Sequence, residues 1–77
     1  GDVYKRQEYI ERLVALYWMA NNADQPDAKP WQKPEHVASH CRRIEDMIQD
    51  VVGYAAWNRF MQTYEIASLL EEVNTND

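Results

Sequence analysis

Between Glu8 and Asn21 the apolar residues Ile10, Leu13, Val14 and Tyr17 fall at i, i+3, i+4 and i+7. That spacing predicts an α-helix with one buried stripe. Tyr9, Leu16 and Trp18 lie off the stripe, so this helix is expected to touch more than one neighbour. The pair Asn21-Asn22 ends it, and Pro26, Pro30 and Pro34 then follow one another every four residues. Such a stretch cannot be helical, because each proline removes a backbone donor and clashes with the preceding turn. Residues 22–33 are therefore expected to form a long linker, pinned to the body by Trp31 as an aromatic anchor.

A second helix can start at Pro34, since proline is tolerated in the first turn and Glu35 suits the positive end of the helix dipole. Its stripe of Val37, Cys41, Ile44, Ile48, Val51 and Ala55 is spaced four, three, four, three, four, like a coiled-coil seam. After Ala55 the register jumps by one to Ala56, Phe60, Thr63, Ala67 and Leu70, with Gly53 just before the jump. One helix from Pro34 to Val73 would be roughly 60 Å long, too long for one compact chain of this size. The chain is thus expected either to bend between Gly53 and Asn58 or to lay a long helix against another subunit. The predicted fold class is all-α, a small bundle of two long or three helices completed by oligomerisation. It comprises one domain over residues 8–73 and a frayed polar tail over residues 74–77. A homodimer is the default, with Val37, Cys41, Ile44, Ile48, Val51, Phe60 and Leu70 as the expected interface.

Charge changes this picture by excluding partners. The 77 residues carry 13 acidic against 8 basic side chains, a net charge of −5, with no basic run longer than Arg42-Arg43. Generic binding to nucleic acid is disfavoured. No apolar run reaches the roughly 20 residues of a membrane span, and Cys41, the single cysteine, cannot form an internal disulfide. Together these predict a soluble protein of a reducing, cytoplasmic compartment. Residues 1–7 stand apart: their GDVYKRQ reading resembles the translation of the transposon end used to prepare sequencing libraries. They are expected to be foreign to the gene, as in an assembled metagenomic contig, and removable without loss of fold. Without Lys5, Arg6 and Asp2 the net charge of −5 becomes −6.

Few residues offer chemistry. His36 and His40 stand at i and i+4, a spacing that suits zinc, but no second pair completes a set, and a solvated flank is the expected reading. Cys41 lies in the apolar seam, where a thiol behaves as a small hydrophobe, and neighbouring His40 points about 100° away from it. Asp46 and Asp50 share one face of the second helix and are the candidate metal ligands, although Arg42 can offset their repulsion as a surface pair. Aromatic residues are dense, with Tyr54, Trp57, Phe60 and Tyr64 within eleven positions. A bundle this small cannot hide them all, so some are expected to stack on a ligand or cover a partner. The candidate ligand-binding residues are Arg42, Arg43, Tyr54 and Trp57. No catalytic residue is assigned.

The words Pro34-Glu35-His36-Val37-Ala38, then Arg43-Ile44, then Asp50-Val51-Val52-Gly53-Tyr54-Ala55-Ala56 resemble a phage-encoded family related to the MazG-like all-α nucleotide pyrophosphohydrolases. The resemblance covers most of residues 8–60. It implies a helical oligomer that holds a nucleotide through magnesium on acidic residues of two helices. The sequence departs from the family's E-E-x-x-E and E-x-x-D pattern, since the first helix offers only Glu8 and Glu11 and Met47 stands three before Asp50. A member that retains binding without hydrolysis is the expected outcome. The leading functional expectation is a small phage or mobile-element protein that oligomerises and captures or blocks a host target, such as a nucleotide signal. A magnesium-dependent pyrophosphohydrolase using Asp46, Asp50, Glu45 and Glu11 is the alternative, and a structural helical assembly protein is a third.

Overall fold

The computed structural model describes residues 2–22 and 28–75. Among these residues four α-helices follow one another: α1 over Asp2–Asn21, α2 over Glu35–Val52, α3 over Tyr54–Thr63 and α4 over Ala67–Thr75, with a short 3-10 turn at Pro30–Gln32 before α2. No strand occurs among the described residues, in line with the all-α expectation. Residues 2–7, expected to be foreign, form the opening turns of α1, and Val3 packs against the core. Residue 1, most of the first half of the linker (residues 23–27) and residues 76–77 of the tail lie outside the described residues.

The stripes on α1 and α2 meet each other. Ile10, Leu13, Val14 and Tyr17 are buried on α1, and Val37, Ala38, Cys41, Ile44 and Ile48 on α2. At the end of α2 the buried residue is Val52, whereas Val51 is half-buried and Ala55 exposed. A straight helix drifts about 20° per heptad from a 3.5-residue seam, and the roughly 40° accumulated over two heptads turns Val51 away from the inward face and Val52 towards it. The backbone of α2 starts on Pro34, whose carbonyl accepts the amides of Val37 and Ala38 at 3.0 Å each.

Gly53 turns the chain. Its φ of 88° and ψ of 164° lie in a region open essentially to glycine alone. Its amide closes α2 on the Gln49 carbonyl at 2.8 Å, and its carbonyl accepts the Trp57 amide at 3.3 Å to open α3. A second break, which the periodicity does not predict, follows at Tyr64, a left-handed residue (φ 58°, ψ 23°) whose amide caps α3 on the Phe60 carbonyl at 2.7 Å. Glu65 then donates its amide to the Thr63 hydroxyl at 3.2 Å, and α4 folds back across the bundle. The expected stripe through Thr63 and Ala67 is corrected accordingly. Both are exposed, and the reversal instead buries Leu69 and Val73 at 0% and 1% exposure. With two reversals the molecule spans 38 Å along its longest axis.

The linker also departs from expectation. Trp31 is 74% exposed and Lys33 beside α2 is buried instead. The turn is closed by its own polar groups: Gln32 donates its amide to the Lys29 carbonyl at 2.8 Å, and its side-chain oxygen accepts the Lys29 amide at 2.9 Å. A bulky ring is therefore not what anchors it. Among the described residues no helix is long and apolar enough to cross a membrane.

Candidate functional site

At the end of α1 the single helical stripe becomes a cluster of rings, because Tyr17 faces the core and Trp18 sits one position round from it. Tyr17 meets Trp57 edge-on, with centroids 5.2 Å apart and planes at 84°. Trp18 packs on Phe60 at 6.0 Å and on Tyr64 at 5.4 Å. The Trp18 contact gives a physical reason for the left-handed Tyr64, a conformation that is uncommon for a bulky residue. The reversal at Tyr64 brings its ring back to α1, where aromatic pairing contributes beyond simple burial.

The rings of Tyr17, Trp18, Trp57 and Tyr64 form part of the wall of a cavity of about 590 Å³. From α1 it takes Tyr17, Trp18, Asn21 and Asn22; from the linker Ala28, Lys29 and Trp31; from α2 Glu45; from α3 Tyr54, Trp57, Asn58 and Met61; and Tyr64 closes it. Trp31, Tyr54 and Tyr64 are exposed by 74%, 69% and 58%, so they keep open ring faces while Tyr17 and Trp57 are committed to the core. The size is that of a small-molecule site.

Polar groups converge on the same space. The Asn21 side-chain oxygen is buried with no hydrogen-bond partner, although a buried acceptor is normally satisfied. Asn22 instead uses its backbone and side-chain nitrogens on the Trp18 carbonyl, at 3.0 and 2.8 Å, to finish α1. The Glu45 carboxyl is pushed above the ordinary carboxylate range chiefly by burial, with the Asp46 charge adding to the rise. Hydrogen bonds from the Trp57 indole and from Gln49, together with the Arg42 charge, act the other way. The Gln49 amide donates to Glu45 Oε1 at 3.2 Å. The Tyr17 phenol is raised from 10.0 to about 12, first by burial and then by the charges of Glu45, Cys41 and Tyr64.

The candidate residues divide on this geometry. Tyr54 and Trp57 both line the cavity, Tyr54 as an open ring and Trp57 as a buried wall. Arg42 and Arg43 are exposed on α2 and are not part of the lining, although Arg42 reaches Glu45 with its charge. Asp46 and Asp50 are exposed on α2, and among the described residues no three His, Cys, Asp or Glu side chains gather as a metal site. His36 and His40 are likewise exposed. Burial pushes the Cys41 thiol up, which disfavours the thiolate a nucleophile requires. Of the expected interface residues, Val37, Cys41, Ile44, Ile48 and Phe60 are buried within the single chain, and Val51 and Leu70 are half-buried. The seam expected to meet a second subunit is filled by α1, α3 and α4 of the same chain.

Sequence reasoning did not single out Asn21, Asn58 or Trp31 as site residues. Asn21 reads as a helix stop and Trp31 as an anchor, and only the packing of α3 against the end of α1 gathers them. Comparison with known protein families, with curated proteins and with solved structures finds no match to this chain.

Proposed function

We propose that this protein is a binding module that takes a flat, nitrogen-rich ring, a nucleobase of a nucleotide, into the aromatic cavity between α1 and α3. The observation that carries this reading is the coincidence, in one 590 Å³ space, of open aromatic faces with amide and carboxyl groups. Aromatic faces stack on any base, at roughly 1–3 kcal/mol per ring, while amide and carboxyl groups can read a base edge. In the setting that the sequence suggests, a phage or mobile-element protein blocking a host nucleotide signal, sequestration of this kind requires no catalysis. The weak set of carboxylates relative to the pyrophosphohydrolase pattern supports capture over hydrolysis.

Titration of nucleoside monophosphates against the intrinsic fluorescence of the cavity tryptophans tests this. Saturable quenching by at least one nucleotide is expected. Tyr54→Ala, which removes an exposed ring without opening the core, is expected to weaken that binding about tenfold. Failure of every nucleotide to bind at millimolar concentration would overturn the reading.

A further inference from the structure

Glu45 is the acidic side chain that lines the cavity, and the fold holds it in place. Its Oε1 accepts the Gln49 side-chain amide from the next turn of α2 at 3.2 Å, and the Trp57 indole of α3 favours its charged form. A carboxylate has about four lone-pair sites, so these contacts leave further acceptor capacity on a group that lines the cavity. The cavity therefore combines open ring faces with a carboxylate that has acceptor capacity to spare.

We infer that the cavity selects guanine among the nucleobases, with Glu45 accepting the two neighbouring N–H groups of the guanine Watson–Crick edge while the base lies against an open aromatic ring. This deepens the nucleobase reading of the cavity and rests on it. Guanine presents a ring N–H beside an exocyclic amine, a donor pair that matches the two oxygens of one carboxylate in the fork geometry that also suits a guanidinium. Adenine places an acceptor where guanine carries the ring N–H, and that acceptor would face the carboxylate with like polarity. Hypoxanthine keeps the ring N–H and lacks the amine. Selectivity on the cavity side thus comes from penalising the wrong edge as much as from holding the right one.

The test is a calorimetric titration of the full chain with GMP, IMP, AMP and agmatine, repeated on Glu45→Gln and Tyr54→Ala. Guanine recognition predicts GMP binding at least about tenfold tighter than AMP, because one bidentate pair discriminates by that order, with IMP in between. Glu45→Gln, which places an amide donor against the guanine donors and removes the carboxylate that faces the adenine acceptor, should weaken GMP and strengthen AMP, so that the preference for GMP falls at least about tenfold. The wild-type panel decides selectivity whatever the stability of the variant. Equal binding of GMP and AMP, weakened in both by Tyr54→Ala, would overturn the guanine assignment while leaving the nucleobase cavity standing. Agmatine binding without any nucleotide binding would overturn both readings.

Discussion

At the scale of single residues, Tyr17 and Glu45 tie stability to pH in opposite parts of the scale. Tyr17 is 3% exposed and its phenol is raised from 10.0 to about 12. The folded chain therefore keeps that proton when the unfolded chain has lost it. Its contribution is complete below pH 10 and falls away as the pH rises towards 12, by roughly 3 kcal/mol. Urea titrations of wild type and Tyr17→Phe between pH 9 and 12 are expected to diverge over that window, with the Phe variant losing less; parallel curves would show that Tyr17 ionises freely. Glu45 also holds its proton more tightly when folded, because burial outweighs its donors. Its ionisation therefore costs stability as the pH rises from the ordinary carboxylate value through the raised one. Relative to Glu45→Gln, the wild type is expected to lose stability over that rise. The charges of Asp46 and Arg42 act on the Glu45 carboxylate and are therefore part of that difference; urea titrations of the two proteins across the same pH range measure it.

At the scale of elements, the two helix breaks rest on different physics. Gly53 needs no neighbour to justify it, since a Cβ there would meet nothing within 4 Å and the constraint is the backbone itself. Gly53→Ala is expected to cost about 1–3 kcal/mol through conformation alone, measured as a fall in the denaturation midpoint at unchanged slope. A cost near zero would mean that α2 and α3 can run on as one helix. Tyr64 carries no such signal. Tyrosine ordinarily avoids the left-handed region, and here the Trp18 contact and the Thr63 hydroxyl bond to Glu65 stabilise the turn. A residue that breaks a helix through a distant contact cannot be recognised from its neighbours in sequence, which is why the stripe reads straight through Thr63 and Ala67.

At the scale of the whole molecule, the seam on α2 is the decisive question. Ile48 is fully buried among residues of its own chain. Ile48→Ala is expected to cost about 2–5 kcal/mol, with a thermal midpoint independent of protein concentration. A midpoint that climbs with concentration would return the seam to a subunit interface, as mass action requires. The opening residues are a second test at this scale. Val3 packs against the core from the first turns of α1, so removal of residues 1–7 is expected to cost on the order of 1 kcal/mol, a drop of roughly 4–8 °C in Tm. An unchanged Tm would agree instead with the transposon-like reading of that segment.

Helical structure, the buried faces of α1 and α2 and, as one of two readings, a bend between Gly53 and Asn58 were legible in the chain. Each depends on local spacing or on one residue's backbone freedom, and local terms act before any packing. Tyr54 was likewise legible as a ring in excess of a small core, whereas Trp57 belongs to the core. What covers the α2 seam was not, because an apolar stripe specifies that it must be buried and is silent on whether the cover is its own α1 or another chain. The exposure of Trp31, the burial of Lys33, the turn at Tyr64 and the gathering of Asn21, Glu45 and Asn58 around one cavity belong to tertiary structure alone. They arise where segments far apart in sequence compete for the same space, and that competition is settled by packing.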